Sequence, residues 1–182
     1  MIKYLENVNS WEILFDILSS MLKFKEGVSV LQIGVKMKPH GVHNWQKMFK
    51  RFADYGYTYF SVLEIWEYNF NRLYGQYLNE KIFGDVRDIE KLVENKYDVI
   101  FWWHGPEHVS KEDFEKIDNT FNKFKNTIIV IGCPYGESLQ GVVDGNPFEK
   151  HLYHWQPDEF EKLDYVVYTT DFNNRKDIGF VL

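Results

Sequence analysis

At 182 residues, with 45% apolar and 26% charged side chains, the chain is long enough to bury one substantial core and too apolar to be disordered. Its 21 basic against 27 acidic side chains leave a net charge of −6, which argues against a general affinity for nucleic acid or anionic lipid despite the cluster Lys36, Lys38, Lys47, Lys50 and Arg51. No apolar run approaches the roughly 20 residues of a membrane-spanning helix, no basic-then-apolar leader opens the chain, and one cysteine, Cys133, cannot form an internal disulfide, so a cytoplasmic protein is expected.

Residues 10–24 place Trp11, Leu14, Phe15, Ile17, Leu18, Met21 and Leu22 at spacings of three and four, predicting an amphipathic helix with Ser10 as N-cap; residues 1–26 thus read as an N-terminal helical segment. Gly27 ends it, and residues 28–33, VSVLQI, predict a first strand closing at Gly34. A polar segment with Pro39 and Gly41 leads to Trp45, Met48, Phe49 and Phe52 at helical spacing. Residues 57–65 predict a second strand and 66–77 a second helix; 81–83 predict a short strand before Gly84-Asp85, and 86–94 a short helix with Ile89, Leu92 and Val93 inward.

The apolar run of residues 97–103 then stops in His104, Glu107 and His108. It reads as a strand buried on both faces, with ionisable groups at its carboxyl end, where open α/β sheets bind ligands. Ser110 is the expected N-cap of a helix that carries Asp113 at its third position and Phe114, Ile117 and Phe121 on one face. A fifth strand over 126–131 precedes a glycine-, proline- and aromatic-containing loop over 132–156, a length that is usually functional. A helix over 157–163 and strands over 165–170 and 178–182 complete the chain. Five strands alternating with helices predict a parallel sheet covered on both faces, and the short connection 171–177 predicts an antiparallel hairpin at one edge. The expected fold is therefore a single α/β domain, three-layered and Rossmann-like, with a mostly parallel seven-stranded sheet and an antiparallel C-terminal hairpin strand.

From residue 28 onward the chain resembles the class I S-adenosylmethionine-dependent methyltransferases. Their first strand ends in (D/E)xGxGxG; here Gln32-Ile33-Gly34-Val35-Lys36-Met37 occupies that place and keeps the first glycine. The second strand ends in Val62-Leu63-Glu64-Ile65, where the family holds the ribose hydroxyls with an acid, and Gly84-Asp85-Val86 matches the family's adenine-binding Gly-Asp-x. Tyr97-Asp98-Val99-Ile100 matches the family's fourth strand and Glu107-His108-Val109 its "EHV", with His104 where many members have Asp. The loop segments Pro134-Tyr135-Gly136, Gln140-Gly141, Gly145-Asn146-Pro147-Phe148-Glu149, His151 and Trp155 are similar to a bacterial small-molecule subgroup with a "PxG…QG…GNPxExHxxxW" loop.

The resemblance implies an S-adenosylmethionine cofactor held by Gln32, Gly34, Gly41, Glu64, Asp85 and Val86, and a small-molecule acceptor with no nucleic-acid or membrane partner. An acceptor beside the strand end would meet His104 or His108 as general base, since imidazole titrates near neutrality. Glu107, Glu149, His151 and Trp155 are the substrate-loop candidates. Other roles are open to them: Glu64, Asp85 and Glu107 suit helix starts, and Trp155 suits packing against the last helix. The six histidines fall in the pairs 40/43, 104/108 and 151/154, a spacing that can bind metal, yet without HExxH or a cysteine pair no metal ligands are assigned. Rival functions are a methyltransferase fold without catalysis, acting as a binding or scaffold module, and a histidine-based metal-dependent enzyme. Oligomeric state is left open.

Overall fold

A computed structural model describes residues 2–6, 10–22, 27–36, 44–93, 97–172 and 175–181. Gly41, His40 and His43 lie outside the described residues, as does the side chain of Ser10. The described chain forms two compact units interleaved in sequence: residues 24–101 with 115–128, and residues 1–23 with 102–114 and 129–182.

In the first unit, β2 (Val28–Ile33), β3 (Tyr57–Glu64) and β4 (Glu80–Phe83) pair in parallel, and β5 (Val99–Trp103), whose first three residues belong here, neighbours β2. β2 is buried along nearly its whole length, as an apolar run without alternation demands. Helix α2 (Asn44–Asp54) buries Trp45, Met48, Phe49 and Phe52, the stripe that its spacing predicts. Phe49 stacks on Phe60 of β3 at 4.9 Å between ring centroids, and Phe52 meets Phe101 of β5 edge-on at 6.0 Å.

Two predicted helices are shorter than their periodicity implies. α3 spans only Glu67–Asn71, because the chain turns Leu73 into the core and Gln46 then takes the Tyr74 carbonyl. The 86–94 segment splits into a 3-10 turn, Val86–Asp88, and α4 (Ile89–Leu92), with Ile89 and Val93 buried as expected.

In the second unit the strand order is β1-β7-β8-β6, followed by the end of β5. β6 (Ile128–Pro134) and β7 (Val167–Phe172) each pair antiparallel with β8 (Arg175–Val181), which lies between them. β1 (Ile2–Glu6) was not expected: it adds in parallel to β7, so the described strands number eight rather than seven and the hairpin is not at an edge. A short segment with Lys3 and Glu6 suits an edge strand, and its alternation is too brief to stand out from a helix cap.

α1 (Ser10–Met21) buries Leu14 and Leu18, and α5 (Lys111–Phe121) begins as predicted, with the Asp113 N–H donating to Ser110 Oγ at 3.1 Å. Phe114, the first apolar residue of α5, meets Trp102 at 5.9 Å, Trp155 at 4.5 Å and Phe160 of α6 (Pro157–Glu161) at 5.5 Å. Two glycines make room for the tryptophans of β5. A Cβ on Gly105 would stand 1.7 Å from Trp102 Nε1, and one on Gly132 would stand 2.4 Å from the Trp103 ring. Among the described residues, no helix is long and apolar enough to cross a membrane.

Candidate functional site

Parallel strands leave their last N–H and C=O groups at a common edge, and whatever side chain stands there decides how those groups are satisfied. At the ends of β2, β3 and β4 that side chain is Glu64, 3% exposed. Its Oε2 accepts from the Val35 N–H at 3.1 Å and its Oε1 from the Trp66 N–H at 2.8 Å, while its carbonyl accepts from Gly84 at 3.1 Å. One residue thus ties together the exits of three strands. Burial raises the Glu64 pKa above the usual glutamate range, opposed by hydrogen bonds from Trp66, Val35, Asn69 and Ile65. Asn69, on α3, completes the junction by donating to the Val35 carbonyl at 2.9 Å. Sequence reading passed over Asn69; its signal was a polar residue in the first turns after a strand-end acid.

Gln32 is buried, and its Nε2 donates to the carbonyls of Ile33 at 3.0 Å and Gly34 at 2.8 Å. That fixes the amide orientation, since only the NH2 can donate to two carbonyls, and leaves the buried Oε1 without a hydrogen-bond partner. Gly34 turns at φ 67° with its N–H on Leu63 O, and a Cβ there would meet nothing within 4 Å. The backbone is open to a close-lying ligand at this point. Asp85 caps the turn that starts at Val86, accepting from the Arg87 N–H at 2.9 Å, and also receives the Arg87 guanidinium through Nε at 2.9 Å and through an NH2 group. Val86 is buried beneath it.

The remaining candidates belong to the second unit. His104 follows β5 in a left-handed conformation, φ 51°, a strained backbone for a residue with a Cβ, and its N–H donates to Gly132 O at 2.7 Å. Its ring is 40% exposed, and Nδ1 lies 3.3 Å from Oε1 of Glu107. Glu107 is 2% exposed; its Oε1 is also 3.9 Å from His108 Nε2, and its Oε2 is buried with no hydrogen-bond partner. His108 and His151 bring their rings to 5.0 Å, so the sequence pairs 104/108 and 151/154 give way to a spatial pair, 108/151.

The loop that carries His151 begins after Pro134, because β6 runs through Gly132 and Cys133 instead of ending before them. It is braced by its own motif residues. Asp144 and Gly145, both at positive φ, make a tight turn between Val143 and Asn146. Gln140 Nε2 donates to Glu149 O at 2.7 Å, the His151 N–H to Gln140 O at 3.0 Å, and the Leu152 N–H to Glu107 O at 2.7 Å. Buried Asn146 caps the 3-10 turn Pro147–Glu149 by accepting from the Phe148 N–H at 3.0 Å. An Asn146→Ala chain is therefore expected to be about 1 kcal/mol less stable, read as a lower urea midpoint; an unchanged midpoint would show that the cap carries no load.

Glu149 does not join the cluster of Glu107, His108 and His151. Trp155 is 1% exposed and packs on Phe114, Tyr153 and Phe160 of the last helix, the packing role that the sequence left open to it beside the substrate-loop one. Beside it Lys111 donates to Glu159 and to the Tyr153 hydroxyl, and these hydrogen bonds, that to Glu159 foremost, hold the ammonium above its ordinary range.

No protein-family model matches the sequence, and no curated protein does. Among solved structures, the chain is similar to a SAM-dependent methyltransferase from Archaeoglobus fulgidus, at 17% identity and a TM-score of 0.51 over 86% of this chain and 69% of that one. It is also similar to the methyltransferase domain of bacterial CtHen1-CN, at 16% identity and 0.50 over 96% and 100% of the two chains. A third likeness is to the DhpI–SAH complex, at 12% identity and 0.53 over 87% and 78%. At such identities the likeness defines a fold, the Rossmann-like methyltransferase fold with a central parallel sheet.

Proposed function

We propose that the protein is an S-adenosylmethionine-dependent methyltransferase acting on a small molecule. The observation that carries the reading is the edge formed by Gln32, Gly34 and Glu64: a left-handed glycine with open space before it, between two buried polar side chains, on a fold shared with methyltransferases. Gly34 admits the amino acid end of the donor to the backbone, the Glu64 junction holds the strand ends that face its ribose, and Asp85 and Val86 border its adenine. His104 acts as general base where the acceptor must lose a proton. Its Nδ1 beside a carboxylate oxygen fixes the tautomer and leaves Nε2 as the basic nitrogen. Transfer from a sulfonium needs no further covalent help, so alignment and exclusion of water supply most of the rate.

The second reading, a methyltransferase fold that binds without catalysing, is favoured by Asp85, whose carboxylate is already engaged by Arg87, and by Glu64, both of whose oxygens accept backbone N–H groups. Calorimetric titration with S-adenosylmethionine and S-adenosylhomocysteine separates the two from a fold that has lost its ligand. Micromolar binding with methyl transfer to an identified acceptor is the expected result. Absence of heat at millimolar donor overturns the methyltransferase reading, and binding without transfer to any acceptor supports the second.

A further inference from the structure

We infer that Glu107, His108 and His151 form a binding site for one divalent transition-metal ion. Each offers a ligand atom, and the three atoms lie within 4.8 Å of one another. Metal–nitrogen distances near 2.0–2.1 Å place tetrahedral ligands about 3.3 Å apart, so small side-chain rotations close the set around an ion.

The second atoms of the ligands carry the argument further. His108 Nδ1 lies 3.3 Å from the Lys150 carbonyl, and His151 Nδ1 lies 2.5 Å from the Ser138 carbonyl. A carbonyl only accepts, so each ring bears its proton on Nδ1 and, when neutral, offers the Nε2 lone pair. Backbone carbonyls that fix the tautomer in this way are the usual outer partners of metal-bound imidazoles.

Glu107 supplies the charge. It is 2% exposed, and its Oε2 is buried with no hydrogen-bond partner, a costly state for a carboxylate oxygen that a cation would relieve. An ion pair with protonated His108 is the competing account. It serves Oε1, at 3.9 Å from His108 Nε2, and leaves both Oε2 and the close approach of a second imidazole unexplained.

Two imidazoles and one carboxylate suit Zn(II), Mn(II), Fe(II) or Co(II), and suit Mg(II) and Ca(II) poorly, since those ions take oxygen ligands. Three protein ligands leave a position open for water or another oxygen ligand. Glu107 and His108 follow β5, while His151 comes from the long loop, whose Leu152 and Tyr153 N–H groups both donate to the Glu107 carbonyl. The ion would sit on a junction that the backbone already builds.

The test uses the full chain, stripped with EDTA and without donor. Titration with ZnCl2 or MnCl2, followed by calorimetry and metal analysis, should give one ion per chain and a higher thermal midpoint; MgCl2 should bind far more weakly. Glu107→Gln and His151→Ala should each weaken Zn(II) binding by roughly 100-fold or more, beyond the usual cost of losing an outer partner. His154→Ala, from the same loop but outside the cluster, should retain it. No stoichiometric Zn(II) or Mn(II) binding at millimolar metal overturns the site, as does full binding in both ligand variants. If the variants fail to fold by circular dichroism, the Co(II) absorption spectrum of the unaltered chain decides: visible bands from a low-coordinate nitrogen and oxygen site support it, and their absence overturns it. Because no donor is present, either outcome leaves the methyltransferase proposal standing or falling on its own titration.

Discussion

A Glu64→Ala chain is expected to lose about 3–4 kcal/mol of stability, because it leaves the Val35 and Trp66 N–H groups without their acceptor, at about 1–3 kcal/mol each, and opens a void at the junction of three strands. Urea unfolding should show a lower midpoint with an unchanged slope. A loss under about 1 kcal/mol would mean that water replaces the carboxylate freely, contrary to its burial. The pH dependence has a definite sign. Burial raises the folded-state pKa of Glu64 above that of the unfolded chain, so between the two values the folded chain holds more protons and stability falls as pH rises. Below the ordinary glutamate range both states are protonated and the contribution is level. Glu64→Gln has no proton to release and should flatten this part of the profile; identical slopes in the two chains would remove titration of Glu64 as the cause.

Replacing His104 should lower methyl transfer by about 10²–10⁴-fold, the usual worth of a positioned general base, while donor affinity by calorimetry stays unchanged. His104→Asn is the informative variant. Asparagine tolerates the left-handed backbone that His104 adopts at φ 51°, so the chain keeps its fold and loses only the basic nitrogen. Turnover of an identified acceptor should fall, and the limb of the rate profile that rises with imidazole deprotonation should vanish. Full turnover in His104→Asn would sink the role of base and leave His104 as a strained end to β5.

Patterns that depend on near neighbours were legible before the structure. The Ser110–Asp113 cap, the Asp85 cap and the helical stripe of Trp45, Met48, Phe49 and Phe52 all follow from spacings of a few residues, and each is found. The strand-end position of Glu64 was also legible, but not its bonds: the Val35 N–H arrives from the segment that follows β2, and a carboxylate at such an edge takes whatever donors the neighbouring strand exit provides. β1 was missed because five residues with two charges carry little periodicity, and its partner lies at the other end of the sequence. The depth of Trp155 was not legible because loops are read as exposed, whereas this loop is anchored by its largest side chain in the ring cluster of Phe114 and Phe160. The approach of His151 to Glu107 and His108 rests on the same long-range folding of the loop.

The loop over residues 135–156 divides its labour between inner and outer positions. Gln140, Asn146 and the Glu107 carbonyl hold its backbone, Trp155 is its root, and none of these bonds involves the side chains of Leu139, Val142, Phe148 or Leu152, which stand exposed. A frame that holds itself leaves those outer positions without a part in holding the loop. Polar substitutions at these apolar surface positions should therefore leave the stability of the scaffold within about 0.5 kcal/mol.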